Sequence, residues 1–502
     1  MSSAVDSAAP YSPARIAGIA GFGLGLTLYA ALAAAATIIF PPLGAAFLLP
    51  LAVAIIAVAP AAKAAPRRLA FSLLIVAALL LPVWPVYLFV KLGPLPILTP
   101  PRLILYAASL LWAYDMTFSP WRRAQFALAV KKSGATAGLV FVFFALGFFS
   151  LPLAEGRSMA IPEFIRQLII WLIPFCVVLT YCRRQRDFVL LMRVFTLGAL
   201  VVALIAVAEA ASGRLLADIL SPFIADDAEW LRNVQEAKVR DGVFRAQGSH
   251  THPLSLGEHL AMSAPFALAF LLAARRFKAR AFWAAALIAI VLAAVATNSR
   301  GAMLVMALTL AAMGALLGYR FLSRAAASRW RPLAGLIAAV GLTLSPVIAV
   351  GAYSVIAGKG GVSASNSTQS RVDQIEMAWP KIMKRPVGGY GTGRSARVLG
   401  YWGRTLTVDN YYLTLALDLG LPGPLTLLAM MIAWSAASIR RSHRSHPALG
   451  VVFVAAAAAA ASIAISRSIT SQTGNLAIVF FMIAAFAGSS VSFSRRKSRN
   501  RV

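Results

Sequence analysis

An arginine between two apolar runs is the first residue of this sequence that could do chemistry. In VATNSRGAMLVMAL, residues 295–308, only Asn-Ser-Arg separates the two runs, and the arginine is Arg300. An arginine at the centre of a membrane-spanning helix costs roughly 2.5–3.5 kcal/mol on insertion scales, so its place in so short a connection needs a reason. A side chain that reaches back to the membrane surface is one reason, and an anionic ligand is the other.

Further arginines lie in connections that the alternation of apolar runs puts on the same side of the membrane as Arg300. Arg245 ends one long polar stretch, Arg371 and Arg394 lie in a second, and Arg467 follows an alanine-rich run. The planar guanidinium group binds phosphate oxygens in pairs and is always charged. The set therefore predicts a site for an anionic lipid head group, above all a pyrophosphate, with Arg467 as an accessory contact.

The stretch TVDNYYLTLALDLGLPG, residues 407–423, places a carboxylate at the start of an apolar run. Asp409 has two interpretations: it caps the following helix, a role that Asn410 can share, or it is a general base that takes a proton from a sugar hydroxyl. Tyr412 either belongs to an aromatic belt at the membrane interface or stacks on a sugar ring. The residues alone leave these alternatives open, so Asn410 and Tyr412 are kept as accessory site residues.

Three histidines close to Arg245 in the sequence, His250, His252 and His259, raise the question of a metal. The pattern H-x-H with a third histidine seven residues later is not a zinc spacing, even with Glu258 beside the last one. The loops on this side of the membrane also lack an Asp-x-Asp pair of the kind that holds Mg²⁺. We therefore predict no metal and no other cofactor, and we keep His250 and His252 as alternative bases.

The composition indicates which elements must hold these residues. Of the 502 residues, 60% are hydrophobic and 13% are charged, against about 25% charged in soluble domains. Such a chain is a multi-span membrane protein in contact with membrane lipids. The formal net charge of +30 does not indicate nucleic-acid binding, because the basic residues lie between apolar runs and form no soluble basic face.

Apolar runs of about 20 residues predict fourteen transmembrane helices, or twelve preceded by an N-terminal hairpin. The predicted spans are 16–38, 43–62, 69–90, 103–119, 137–153, 165–181, 188–210, 252–273, 281–297, 302–319, 333–356, 411–436, 449–465 and 475–490. The predicted fold class is therefore all-α, a polytopic transmembrane helix bundle.

Basic residues predict how this bundle is oriented. With a cytoplasmic N-terminus, every cytoplasmic connection is rich in Lys and Arg, as in RRFKAR at 275–280 and RRSHR at 440–444, whereas the short outer connections are poor in them. This is the positive-inside pattern. Both termini are thus predicted in the cytoplasm, and Arg300 faces the extracytoplasmic side.

Two predicted outer loops are long, 211–251 and 357–410. The second contains the amphipathic segment RVDQIEMAWPKIMKRP, a predicted helix that Pro380 should kink or end. This loop predicts a mainly helical extracytoplasmic cap. We predict that residues 1–490 form a single membrane domain that includes both loops, and that 491–502 are a basic cytoplasmic tail.

Four stretches in order resemble the O-antigen ligase and lipid-linked polysaccharide polymerase family of integral membrane proteins. They are FRAQGSHTHPLSLGEHLA (244–261), TNSRGA (297–302), SRVDQIEMAWPKIMKRPVGGYGTG (370–393) and VDNYYLTLALDLGLPG (408–423). The large outer loop that includes the third stretch also resembles the family. No single stretch is specific, and the resemblance rests on all four in this order.

The resemblance implies a metal-independent, inverting glycosyltransferase at the outer, periplasmic face of the bacterial inner membrane. Its donor would be a glycan on a polyprenyl pyrophosphate such as undecaprenyl pyrophosphate. Its acceptor would be lipid A core, for a ligase in lipopolysaccharide biosynthesis, or another lipid-linked glycan, for a polymerase of a surface polysaccharide or exopolysaccharide.

The resemblance also implies roles for single residues. Arg300 would match the arginine that contacts the donor pyrophosphate, and Arg245 would match a second such arginine. Asp409 stands where similar ligases have a catalytic histidine before asparagine, and this departure favours a polymerase over a ligase. A transporter or flippase of a lipid-linked oligosaccharide or another anion is the alternative, although the sequence shows no internal repeat of the kind such proteins have.

Overall fold

The structure, a computed structural model, describes residues 60–90, 97–221, 234–236, 238–240, 242–325, 362–400 and 408–491, together with Gly25. The predicted spans 16–38 and 333–356, and nearly all of 43–62 and of the tail 491–502, lie outside the described residues. The chain divides into two compact units. One comprises Met1–Ala64 and Tyr114–Pro120; the other comprises Ala65–Ala113 and Trp121–Val502 and contains every candidate site residue.

The described residues are mostly helical, with one short hairpin. The helices are α1 (Arg67–Val83), α2 (Pro100–Phe118), α3 (Pro120–Ser133), α4 (Ala135–Ser150), α5 (Arg157–Gln167), α6 (Ile173–Tyr181), α7 (Gln185–Ser212), α8 (Leu216–Ile219), α9 (Pro253–Ala273), α10 (Phe277–Ala296), α11 (Arg300–Ala325), α12 (Val362–Lys384), α13 (Ser395–Val398), α14 (Tyr411–Leu419), α15 (Pro422–Arg444), α16 (Pro447–Ser466) and α17 (Leu476–Gly488). A 3₁₀ turn, Leu151–Leu153, follows α4, and a π-helical turn, Leu168–Leu172, joins α5 to α6. Strands β1 (Val239–Arg240) and β2 (Val243–Phe244) pair antiparallel before α9.

The predicted fold class is confirmed. Within the described residues, eight helical segments are long and apolar enough to cross a membrane, and the shorter helix α17 is also apolar. In a bilayer a helix satisfies all its own backbone hydrogen bonds, so runs of this length and composition form helices locally. The total of fourteen spans remains a prediction, because several of the predicted spans fall outside the described residues.

The predicted span 411–436 is wrong in one respect, since the structure breaks it into α14 and α15. The break is at Gly420, whose φ is +76°. A Cβ there would lie 2.5 Å from the carbonyl oxygen of Pro386. Only glycine combines this backbone conformation with so close an approach, so the turn is fixed by the neighbouring 386–391 segment as well as by the local sequence.

The amphipathic segment of the predicted cap is helix α12, but Pro380 does not end it. The helix continues to Lys384. Its last turn is held by Ile382, which is 2% exposed, and by a 2.9 Å hydrogen bond from the Tyr390 hydroxyl to the Lys381 carbonyl. These contacts compensate for the hydrogen bond that proline cannot donate. The part of the cap that the structure describes is mainly helical, as predicted.

Helix α16 forms the centre of the described bundle. Its alanine run, Ala455 to Ala460, is completely buried. Small side chains let helix backbones approach closely, and α16 packs against α9, α11 and α15. Helix α9 is itself buried over most of its length. The packing brings the C-terminal ends of α10 and α16 together with the N-terminal ends of α9, α11, α14 and α17, and we call this side of the bundle the site end.

Candidate active site

Arg300 is the first residue of α11, directly after a tight turn. Asn298 has a φ of +43°, a left-handed conformation that asparagine tolerates better than most residues. Ser299 then starts the helix, because its hydroxyl accepts a hydrogen bond from the Ala302 N–H at 3.3 Å. The Arg300 side chain is half-buried. Since a helix N-terminus carries partial positive charge, the added guanidinium makes this turn a suitable place for an anion.

Arg245 is anchored to the same turn. Its Nε donates to the Thr297 carbonyl at 3.1 Å, and the next residue, Ala246, donates its N–H to the Ala296 carbonyl at 3.0 Å. The Arg245 side chain is 7% exposed, and burial, followed by the charge of Arg240, lowers its pKa to about 10. The group is still charged at neutral pH. The structure thus brings two of the predicted site arginines to one turn.

The three histidines do different things. His252 caps α9, and its Nδ1 accepts the Leu254 N–H at 3.1 Å. The rings of His250 and His259 lie 5.2 Å apart between their centres. Burial lowers the pKa of His250 and of His252 to about 4, with Arg245 the next cause for His252. Both side chains are therefore neutral at physiological pH. Within the described residues, no group of three or more His, Cys, Asp or Glu side chains is arranged to hold a metal.

The structure assigns the cap of α14 to Asn410. The Asn410 side-chain oxygen accepts the N–H groups of Tyr412 and Leu413, at 2.9 and 3.2 Å. Asp409 precedes this cap, and its side chain is half-buried. Of the two interpretations of Asp409, helix capping therefore falls to its neighbour. The Tyr412 hydroxyl donates to the Ala464 carbonyl at 2.7 Å, so it ties α14 to α16.

Helix α12 reaches the same segment through Gln374. The side-chain oxygen of Gln374 accepts the Asp409 N–H at 2.8 Å. Arg371 is one turn earlier on the same helix, and residues three apart share a helix face. The Arg371 Nε is buried and has no hydrogen-bond partner in the described structure. This cation therefore lies on the side of α12 that faces Asp409.

A single turn after α16 contacts both the Arg300 and the Asp409 segments. The Arg467 carbonyl accepts the N–H of Tyr411 at 2.9 Å, two residues after Asp409. Ile469 packs on Gly301, where a Cβ would lie 2.9 Å from it. Residues 467–469 thus fill the space between the start of α11 and the start of α14, so Arg300 and Asp409 flank one turn.

The Arg467 side chain points into the bundle and is paired there. It is completely buried, and its Nη2 lies 2.5 Å from an oxygen of the equally buried Glu258. Glu258 also accepts hydrogen bonds from Ser466 at 2.8 Å and from Asn475 at 2.9 Å. The charge that the sequence suggested for substrate is therefore neutralised by a carboxylate of α9.

Arg394 lies beside the start of α5. Its guanidinium covers Gly156, where a Cβ would lie 3.1 Å from the Cζ, and its Nη1 is 3.4 Å from the sulfur of Met159. The contacts of Arg394 thus run to the connection between α4 and α5. Those of Arg245 run to the turn between α10 and α11, so the structure places these two predicted cations against different elements.

Comparison with known families shows which proteins part of this chain resembles. A family model described as O-antigen ligase matches residues 285–428. The match covers less than a third of the chain, and this region is similar to O-antigen ligases. No curated protein matches the chain significantly.

The matched region begins within α10 and ends within α15, so it includes Arg300, Arg371, Arg394 and Asp409. Arg245 lies before it in the chain, although the structure joins Arg245 to its α10–α11 turn. The family indicates glycosyl transfer of the ligase and polymerase type, on lipid-linked glycans in general.

Two carboxylates hold segments in and next to the matched region. The sequence did not assign them this structural role. Glu209, at the end of α7, accepts the N–H groups of Gln247, Gly248 and Leu216 at 2.7–2.8 Å and so fixes the loop that carries Arg245. Asp418 accepts those of residues 393–395 at 2.8–3.0 Å and fixes the turn that carries Arg394. Acidic residues inside apolar runs were the available signal.

Proposed function

We propose that this protein transfers a glycan from a polyprenyl pyrophosphate carrier to an acceptor hydroxyl at the outer face of the bacterial inner membrane. The acceptor is lipid A core or another lipid-linked glycan, so the protein is an O-antigen ligase or a surface polysaccharide or exopolysaccharide polymerase. The observation that supports this most is the placement of Arg245 and Arg300 on one turn, at the N-terminus of α11 and beside the segment of Asp409.

The charge of the leaving group accounts for the arginines at the proposed site. When the bond between the anomeric carbon and the pyrophosphate oxygen breaks, both bonding electrons stay with the pyrophosphate. Arg300 and the positive end of α11 stabilise the negative charge that develops there, and Arg245, held rigidly by Thr297, adds a second cation. Arg371, on the face of α12 toward Asp409, is a third candidate contact. Fixed cations at this position would do the work that a metal ion does in other transferases.

The acceptor needs a base. We assign this role to Asp409, which takes the proton of the acceptor hydroxyl while that oxygen attacks the anomeric carbon from the side opposite the pyrophosphate. The new glycosidic bond then has inverted configuration. The capping bonds of Asn410 and the Gln374 contact hold the backbone on either side of Asp409, so the carboxylate is positioned without being used as a cap. His252 has its Nδ1 occupied by the cap of α9, which leaves it less suited to the role.

Reconstitution tests the proposal. Purified protein in lipid is given a synthetic glycan on a polyprenyl pyrophosphate, and transfer is followed by chromatography of the lipid-linked products. We expect Arg300→Ala and Asp409→Asn to express normally and to lower the transfer rate by roughly 10²-fold or more. Arg214→Ala is the matched control. Arg214 is an exposed arginine just after the C-terminal end of α7, and its contact with Asp218 is a 3.6 Å surface pair. Normal transfer by Arg300→Ala would refute the role of that residue.

Deletion in the cell separates the two acceptors. Loss of a polymerase leaves single repeats on the lipid, whereas loss of a ligase leaves full-length polymer on the polyprenyl carrier, and the two are distinguished by gel analysis of the glycan. Trapping of the lipid-linked unit on the cytoplasmic face would instead indicate a flippase and would contradict the proposal.

A further inference from the structure

A cavity with a partly polar lining includes residues of the loop that carries Arg245. Its volume is about 110 Å³, well above the roughly 10–15 Å³ that a single water needs. It is bounded by the end of α1, the start of α2, the π-helical turn, residues 249–251 and the starts of α9 and α17. The Ser249 hydroxyl, which donates to the Pro82 carbonyl at 2.6 Å, fastens this part of the loop to α1.

Two hydroxyl groups in the wall of this cavity have no hydrogen-bond partner. The oxygens of Tyr106 and Ser255 are both buried and unpaired in the described structure, and Ser255 as a whole is 3% exposed. A buried hydroxyl without a partner is costly, because it loses water and gains nothing in return. Both residues line one cavity, so a ligand bound there is a candidate partner for each hydroxyl.

The charge of the lining indicates the sign of that ligand. Arg102 is one helical turn before Tyr106, and both side chains line the cavity. No Asp or Glu is found among the described lining residues. The nearby carboxylate of Glu258 is bonded to Asn475 and paired with Arg467, so it is already neutralised. A cation with hydroxyl donors and no competing carboxylate is the chemistry of an anion site.

The remaining lining is apolar. Leu81 and Val86, Ile169 and Ile170, and Ile478 form much of the wall. A free inorganic anion would gain nothing from these side chains, whereas a lipid would place its chain along them and its charged head at the polar end.

We propose that this cavity binds the phosphate head of a membrane lipid, with Arg102 as the cation and the hydroxyls of Tyr106 and Ser255 as hydrogen-bond donors. It is a second lipid-phosphate site, separate from the α10–α11 turn, since neither Arg245 nor Arg300 is among its described lining residues. The proposal does not depend on the proposed glycosyl transfer. A prenyl monophosphate and an anionic phospholipid share the required chemistry.

Binding measured by native mass spectrometry in phosphatidylcholine nanodiscs tests it. Farnesyl phosphate, farnesol, phosphatidylglycerol and inorganic phosphate are titrated separately against the full-length protein. We expect a lipid phosphate to bind at least tenfold more tightly than farnesol. Tighter binding of farnesyl phosphate would identify a prenyl phosphate as the natural ligand, and tighter binding of phosphatidylglycerol would identify a phospholipid; either result supports the site. Equal binding of farnesol, or binding of inorganic phosphate with no preference for the lipid form, would overturn it.

Variants locate the binding. Tyr106→Phe removes only the unpaired hydroxyl, so we expect the melting temperature without added lipid to be unchanged and the affinity for the lipid phosphate to fall roughly tenfold. Arg102→Gln should lower the affinity for the lipid phosphate by at least as much. Tyr114→Phe, the same change further along α2 and away from the cavity lining, is the control. Wild-type affinity for the lipid phosphate in both Tyr106→Phe and Arg102→Gln would overturn the proposal. If Arg300→Ala still binds the lipid phosphate, this site is separate from the proposed catalytic one.

Discussion

At the scale of single residues, buried carboxylates hold the segments of the candidate site in place. Glu209 fixes the loop before α9, Glu258 joins α9 to α16 and α17, and Asp418 fixes the turn before α13. Each accepts several hydrogen bonds, so its burial is compensated locally. Our proposal gives the chemistry to other residues, Arg300 and Asp409 above all, which keep partial exposure at the site end.

The buried pair of Glu258 and Arg467 should be the most sensitive of these contacts. We expect Arg467→Met to destabilise the protein by about 3–5 kcal/mol, because it leaves a buried carboxylate without its counter-charge. Adding Glu258→Gln removes that charge; its amide oxygen can still accept from Asn475, and its NH2 can donate to the Ser466 hydroxyl, so the double variant should recover most of the loss. Thermal unfolding followed by size-exclusion chromatography measures both.

The double variant also shows whether Arg467 has a second role. If Arg467 only supports the fold, the stable double variant transfers glycan normally. Loss of transfer in a protein that melts like the wild type would instead make Arg467 a substrate contact, as the sequence suggested.

Acid should weaken the start of α9 through His252. Its pKa is lowered from 6.5 to about 4 in the folded protein, so the unfolded chain binds the proton more readily between these values. Stability from this residue is therefore complete above about pH 6.5 and is lost as the pH falls toward 4, by at most roughly 3 kcal/mol. His252→Asn keeps a capping oxygen but cannot titrate, so its melting temperature should fall less than that of the wild type between pH 7 and pH 4.5. Equal acid sensitivity of the two proteins would contradict this role.

At the scale of elements, breaks between helices decide where side chains go. The turn at Gly420 ends α14 after nine residues and lets its polar N-terminus meet α12 and α16, while α15 crosses separately. The turn at Asn298 similarly sets Arg300 at the first position of α11. Both breaks interrupt or bound apolar runs, and both lie next to residues of the candidate site.

Gly420→Ala should therefore damage the site end. A Cβ at φ +76° and 2.5 Å from a backbone oxygen cannot be accommodated without moving one chain, so we expect a loss of about 1–3 kcal/mol and a lower transfer rate. Gly314→Ala in α11 is the matched control, because its Cβ would have nothing within 4 Å and alanine favours a helix. If Gly420→Ala and Gly314→Ala changed the melting temperature by the same amount, the argument would be contradicted.

At the scale of the whole molecule, the distribution of basic residues orients the chain. The site end carries Arg300, and the opposite ends of α10 and α16 lie at or next to the basic clusters at 275–280 and 440–444. The positive-inside rule then predicts that the site end faces the periplasm.

Cysteine labelling tests this orientation. Cys176 and Cys182 are buried, so a single exposed cysteine can be added to the natural sequence. We expect Arg214→Cys to react with a membrane-impermeant maleimide in intact spheroplasts, and Arg275→Cys to react only after the membrane is opened. The reverse pattern would place the candidate site in the cytoplasm and would rule out transfer at the outer face.

The sequence alone determined the helical membrane fold. The predicted spans 252–273, 281–297 and 302–319 lie close to α9, α10 and α11, so the connection that carries Arg300 was placed from local patterns. This works because a helix in a bilayer satisfies its hydrogen bonds within its own segment, so the length and polarity of a run decide its structure.

Tertiary structure decided which of the candidate residues lie close together. It anchored Arg245 beside the turn of Arg300, placed Arg394 against Gly156, and gave the cap of α14 to Asn410. It also paired Arg467 with Glu258, 209 residues away in the chain. No local pattern encodes such a pair, because a buried charge finds its partner only when separate helices pack and exclude water from both.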